Sequence, residues 1–315
     1  MQPERAWLAW VRRAAAAGPP RRELRLGIGD DAALLRPRRN WELAITTDLL
    51  LEDVHFLRAR DTPEVCGRRL ATRALSDLAA MGAEPLAVFL STAYPATLAP
   101  AWPRRFYRGL LQTIREAGAV LAGGDVSAAP APKILCDIVG VGQVPAGQSL
   151  RRGGARVGDQ IYVSGILGEA AHGRRLDHRG STARTARDRA AVARHRHPRA
   201  RWELGIALRG RASAAIDVSD GLATDLHHIC RESRVGAIVD AAALPAVQLP
   251  LALFGGEDYE LLFTLPPRTR LPQHPGLTRI GEITPARGVW LRLPGGIRRR
   301  LPAAGWQHWS PAVTY

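Results

Sequence analysis

Apolar positions run through most of the chain in short blocks, and their spacing alternates between the period of a helix and that of a strand. Leu70, Ala74, Leu75 and Leu78 form a helical stripe behind Thr62-Pro63-Glu64, where Thr62 suits a cap and Pro63 a first turn. This predicts a helix over 65–80, and similar patterns predict helices over 4–17, 102–117, 202–209 and 222–233. Apolar runs bounded by glycine, proline or acidic residues predict strands at 32–35, 41–48, 85–93, 119–122, 134–144, 159–164, 214–216, 235–239, 259–265, 277–280 and 289–293. Segment 173–201, rich in Arg, His and Ala, is expected to be a polar helix and a mobile surface loop.

Strands and helices alternate imperfectly, so the fold class is mixed: α+β with α/β character. Pro145-Ala146-Gly147 reads as a linker and divides the chain into an N-terminal sheet-plus-helices domain, 1–147, and a C-terminal α/β domain, 148–315. Both halves build strands that end in Gly/Asp turns, with no repeated sequence between them. A length of 315 residues with 46% hydrophobic content suits about two packed domains.

Charge changes this picture more than composition does. The net charge is +15, and Lys133 is the single lysine among 44 basic residues. Such a balance draws in anionic small molecules and binds nucleic acid non-specifically. Specific nucleic-acid recognition is not expected, because no RNA- or DNA-binding module is recognisable and aromatics are 6%. Cys66, Cys136 and Cys230 lie too far apart for a zinc pattern or a disulfide framework, so buried free thiols and a reducing cytoplasm are expected. Helix 4–17 is too interrupted by charge for a signal peptide, and no run of about 18 apolar residues predicts a membrane span.

The candidate chemistry lies in carboxylates. Asp30, Asp31, Asp48, Asp77, Asp125, Asp217, Asp220, Glu257 and Asp258 mostly follow strands and sit beside Gly, Ser or Thr. Two unit charges about 4 Å apart repel by roughly 4 kcal/mol at an effective dielectric of 20. Several carboxylates sharing one cleft must therefore protonate or bind cations. An all-oxygen donor set, which Thr46, Thr47 and Ser219 would extend, suits Mg²⁺ together with substrate phosphates. The bland alternative is a set of solvated turns, each capping its own helix. Asp77 falls near the end of helix 65–80, where the helix dipole disfavours a carboxylate and calls for a nearby cation. No Gly-x-x-x-x-Gly-Lys-Ser/Thr loop and no His-Arg-Asp loop occurs, so phosphate charge would fall to metal ions and to arginine, with Arg151-Arg152-Gly153-Gly154 the best placed.

Six motifs in order resemble the thiamine-monophosphate kinase family. They are Gly27-Ile28-Gly29-Asp30-Asp31-Ala32-Ala33, Thr46-Thr47-Asp48 with His55-Phe56 downstream, Ser76-Asp77-Leu78-Ala79-Ala80-Met81-Gly82, Gly123-Gly124-Asp125, Ile216-Asp217-Val218-Ser219-Asp220-Gly221-Leu222 and Gly255-Gly256-Glu257-Asp258-Tyr259-Glu260-Leu261. The wider group includes aminoimidazole ribonucleotide synthetase, selenophosphate synthetase and a hydrogenase-maturation protein. A selenophosphate synthetase would need a reactive Cys and Lys near the N-terminus, and this chain has neither there.

The resemblance implies the two-domain fold of that group and ATP-dependent, Mg²⁺-dependent phosphorylation of thiamine phosphate to thiamine diphosphate. It implies metal ligands at Asp30, Thr46, Thr47, Asp48, Asp77, Asp125, Asp217 and Asp220. ATP contacts would come from Tyr107, Gly124, Asp125, Arg152 and Ser219, and substrate contacts from His55, Glu257 and Trp309. Asp48, Asp125 and Arg152 would carry catalysis. It also implies a homodimer formed through the N-terminal sheets. The acceptor phosphate oxygen is already anionic, so in-line transfer would need positioning and electrostatic stabilisation rather than a strong base. The alternatives are another ATP-dependent synthetase of the group and, at a distance, a basic nucleic-acid-binding protein. Segment 173–201 departs from the family pattern, and Pro198-x-x-Arg201-x-x-Leu204-Gly205 follows it only loosely.

Overall fold

A computed structural model describes residues 4–18, 20–178 and 185–306. The chain divides into two compact units, Met1–Leu78 with Ala83–Gly147, and Ala79–Gly82 with Gln148–Tyr315.

In the first unit, α1 (Glu4–Ala16) precedes a small antiparallel ribbon of β1 (Leu24–Leu26) and β2 (Leu34–Leu35). The main sheet holds β3 (Trp41–Leu51), β4 (Glu84–Tyr94), β5 (Val120–Ala128) and β6 (Leu135–Pro145) in the order β3-β6-β4-β5. β4 and β5 are parallel and are joined through α3 (Ala101–Glu116); the other pairs are antiparallel. α2 (Pro63–Ala80) connects β3 to β4. Strand alternation turns Leu50, Leu90, Cys136 and Ile138 to one face, where they pack with Leu70 and Ala74 of α2 and Phe106, Leu110 and Ile114 of α3. Each such fully buried large side chain stabilises the unit by about 1.5–3 kcal/mol. The opposite face carries Leu43, Ile45 and Leu49 from β3, which are 41%, 64% and 51% exposed, and Leu135 from β6, 37% exposed.

One expectation needs correcting here. The sequence suggested a short strand at 119–122 that stops before Gly123-Gly124-Asp125. Instead β5 runs on to Ala128, and the two glycines lie inside it. A Cβ on Gly124 would stand 2.0 Å from the Leu90 carbonyl oxygen, and its φ is 148°. Glycine thus allows two backbones to pass closely in a distorted strand, which in sequence looks like a turn. Asp48 is likewise not at a strand end, since β3 continues to Leu51.

The second unit contains β7 (Gln160–Ser164), β8 (Ala214–Val218), β9 (Gly236–Asp240), β10 (Glu260–Leu265), β11 (Leu277–Thr284), β12 (Gly288–Arg292) and β13 (Arg298–Arg300). They form one sheet in the order β13-β12-β9-β11-β7-β10-β8. β12 and β9 are parallel, and the remaining pairs are antiparallel. The helices are α4 (Glu169–His178), α5 (Ala186–Arg196), α6 (Trp202–Leu208), α7 (Leu222–Ser233) and α8 (Leu249–Phe254). α7 packs Leu222, Leu226 and Ile229 against Ile216, Val239 and Val289 of the sheet.

Within segment 173–201 the expected polar helix is α5 at residues 186–196, started by a capping box in which Thr185 and Asp188 bond each other's backbone N–H, and residues 179–184, on which the expected loop falls, lie outside the described residues. Part of the segment's polarity has a physical cause, because Arg194 and Arg201 pair with buried Glu260 and Arg174 with half-buried Glu257. Cys66, Cys136 and Cys230 are buried free thiols, as expected. No helix among the described residues is long and apolar enough to cross a membrane.

Candidate active site

In the first unit the predicted acids fall into two places. Thr46 and Asp48 share the face of β3 that carries buried Leu50, opposite α2. The Thr46 hydroxyl donates to the Asp77 carboxylate on α2. Arg73, one turn earlier on α2, donates to Asp48 at 3.3 Å. Burial pushes the Asp48 carboxyl up to about 6; Arg73 opposes this, while the charges of Asp77 and Asp137 add to it. Asp137 is also raised, by burial. Asp48, Asp77 and Thr46 thus meet on the core-side face with a single guanidinium beside them, all-oxygen donors of the kind a hard divalent cation takes, while Asp137 lies on the opposite sheet face.

The second place is a cleft of about 490 Å³ along the open edge of β5. Asp30, Asp31, Gly124 and Asp125 line it together with Tyr107 of α3 and Arg12 of α1. Tyr107 is 4% exposed and packs edge-on against Trp7, with ring centroids 5.2 Å apart. Burial raises its hydroxyl well above the usual phenol range, so it stays neutral. Asp125 and Asp48 do not share a face. Asp125 stands level with Ser91, then Asp137, then Leu49 across the four strands, one residue out of step with Asp48. Val126 packs on the core side, so Asp125 turns away from it. Thr47 shares that outer face.

In the second unit Asp217 is buried at the end of β8, and Ser219-Asp220-Gly221 form the turn into α7. One oxygen of Asp225 accepts the N–H groups of Ser219, Asp220 and Gly221 at 3.2, 3.2 and 3.1 Å. Burial, and then the charges of Asp217 and Asp220, push the Asp225 carboxyl well up. Ser219 O accepts from Glu257 N at 2.9 Å, and Asp220 O accepts from Trp306 N at 3.0 Å. Arg152 is exposed, and its carbonyl accepts from Ser233 Oγ at 3.1 Å. Burial holds His228 below its usual value, helped by Arg152 and Arg231 and opposed by Asp220, which sets Arg152 and Asp220 about one imidazole.

The predicted substrate contacts are placed as follows. His55 Nδ1 accepts from Leu51 N at 3.0 Å in the first unit. Glu257 lies in the second, with Arg174 donating to it at 3.4 Å and His195 Nδ1 3.9 Å away. Trp309 lies outside the described residues.

Sequence reasoning missed Arg73, Asp137 and Asp225. Asp137 left a trace, as the lone carboxylate in an otherwise apolar strand. Asp258 was taken for part of an acidic turn. It is 1% exposed and accepts from Gly168 N at 2.7 Å and Ala170 N at 3.2 Å, holding the start of α4. Burial pushes it up to about 8, against those two N–H bonds. Folding then takes up a proton between the ordinary carboxylate range and pH 8. The sign follows: this group costs stability as pH rises from about 4 to about 8. Asp258→Asn is expected to remove that slope, so its melting temperature gains on wild type across this range. Parallel melting curves at every pH would refute the assignment.

The comparisons with known proteins agree with one another. Residues 29–144 match the model of the AIR synthase related protein, N-terminal domain, and residues 156–290 match the model of its C-terminal domain. A thiamine-monophosphate kinase of Haemophilus influenzae is 40% identical over 255 residues, 78% of this chain and 76% of the relative. The crystal structure of a thiamine-monophosphate kinase from Stenotrophomonas maltophilia K279a superposes with a TM-score of 0.80 at 37% identity, covering 91% of this chain and 96% of that one. A structure described as AaThiL complexed with AMPPCP and TMP superposes with a TM-score of 0.79 at 30% identity, covering 97% and 96%.

Proposed function

The chain belongs to the AIR synthase related family and, within it, to the thiamine-monophosphate kinases, and from that membership we propose that it transfers the terminal phosphoryl group of ATP to thiamine phosphate, giving thiamine diphosphate. The observation that supports the site reading is the facing of Asp48 and Thr46 on β3 with Asp77 on α2, with one arginine beside them, an oxygen-rich arrangement that suits a divalent cation. AMPPCP and TMP in the AaThiL structure support the donor and acceptor.

Asp30, Thr46, Thr47, Asp48, Asp77, Asp125, Asp217 and Asp220 would hold Mg²⁺, which supplies charge neutralisation of the phosphates when bound. The chain's own groups do the rest. Gly124 would contact ATP where β5 lines the cleft, Tyr107 offers a neutral hydroxyl beside it, and Ser219 and Arg152 would present a hydroxyl and a guanidinium to phosphate oxygens. His55, Glu257 and Trp309 would contact the thiamine moiety, where an aromatic face suits a cationic thiazolium. An oxygen of the acceptor phosphate attacks the terminal phosphorus of ATP in line as the bond to the ADP oxygen breaks. That oxygen is already anionic, so no side chain has to remove a proton.

The N-terminal unit would bind ATP and metal and form the dimer, and the C-terminal unit would complete the active site. Exposed Leu43, Ile45, Leu49 and Leu135 on the outer sheet face support a homodimer there. A cytoplasmic setting fits the three unpaired buried thiols.

A substrate panel separates this reading from the other members of the group. ATP consumption is expected with thiamine phosphate and not with aminoimidazole precursors or selenide. Turnover of a precursor with thiamine phosphate inert would reassign the chain within the family.

A further inference from the structure

The cleft along β5 holds a cation to which the reading above gives no role. Arg12 sits on the exposed side of α1, whose other face buries Trp7 and Val11 in the first unit's core. A Cβ built on Gly29 would lie 2.7 Å from Arg12 Cζ and 2.8 and 3.0 Å from its two terminal nitrogens. Three nearly equal distances mean that the guanidinium lies face-on over residue 29. Gly29 also has φ 131°, so both its conformation and the space above it are reserved for glycine. Asp30 and Asp31 line the same cleft, yet among the described residues the Arg12 guanidinium makes no hydrogen bond or ion pair.

Arg12 is also the one basic residue among those lining this cleft. The chain's single lysine is committed elsewhere, since Lys133 Nζ pairs with Asp53. A polyphosphate entering a cleft that carries Asp30, Asp31 and Asp125 meets strong repulsion unless cations intervene. Metal ions answer part of this, and a guanidinium fork held flat beside the glycine-rich loop answers the rest with two parallel N–H donors.

We propose that Arg12 contacts the polyphosphate of the nucleotide in this cleft, taking the place of the phosphate-binding lysine that the sequence lacks. The proposal rests on the reading that ATP binds here. Arg12→Gln keeps a polar side chain with an N–H donor but shortens it and removes the charge, and Arg12→Lys keeps the charge without the fork. In the full chain, Arg12→Gln is expected to raise the KM for ATP about tenfold or more, with Arg12→Lys between it and wild type. The KM for thiamine phosphate should change less than about twofold, and the melting temperature should hold because the side chain is exposed.

AMPPCP titrated against tryptophan fluorescence gives the same comparison without turnover, since Trp7 lines the cleft. Unchanged ATP KM and unchanged AMPPCP affinity in Arg12→Gln would overturn the proposal. Arg12-dependent AMPPCP binding in a chain that makes no thiamine diphosphate would keep this assignment and defeat the kinase reading instead.

Discussion

Asp125→Asn lowers kcat by about a thousandfold or more, and the protein melts within about 2 °C of wild type. The substitution is isosteric, and Asp125 is exposed on the outer face of β5, so packing does not change. What changes is charge at the place where Asp30, Gly124 and Asp125 line one cleft. An amide is a poor ligand for a hard cation that also carries phosphates. Asp48→Asn should lose turnover equally, with a different signature in stability. Removing a carboxylate that burial holds up at about 6 takes away a charge the fold keeps at a cost. Its melting temperature should therefore match or exceed wild type at pH 8. Near-normal turnover in either variant would remove that residue from the catalytic set.

Glu260→Ala is expected to destabilise the chain by about 3–5 kcal/mol, the largest single effect on folding. Glu260 is fully buried on β10. Its carboxylate accepts from Arg194 at 2.9 Å, from Arg201 Nε at 2.7 Å and from the Ser164 hydroxyl. Removing it strands two partly buried guanidiniums and a buried hydroxyl. Glu232→Ala supplies the contrast, because the Arg231–Glu232 pair is exposed on both sides and should contribute about 1 kcal/mol or less. Equal losses in the two variants would show that burial does not set the strength of the Glu260 cluster. The cluster also explains the odd composition of 173–201, since Arg194 and Arg201 come from that segment and its end.

The main elements were legible because hydrophobic period is written locally. The stripe Leu70, Ala74, Leu75, Leu78 fixes α2 whatever packs on it. Where the reading failed, the cause lay in partners distant along the chain. Gly123-Gly124 looks like a turn until Leu90 is known to pass behind it. The Arg-rich segment looks solvated until Glu257 and Glu260 are known to receive it. Candidate acids were visible as residues beside glycine or threonine, but which face each occupies was not. One residue of register separates Asp48 from the row of Asp125 and Asp137, and only the paired strands define it. Arg12 carried no motif at all, because its role depends on the room left above Gly29.

The most direct measurement is the mass of the product formed when the purified chain is incubated with ATP, Mg²⁺ and thiamine phosphate. Thiamine diphosphate should accumulate together with ADP, and the reaction should stop when the metal is chelated. Persistence of thiamine phosphate under these conditions, with the chain folded and metal present, would contradict the account.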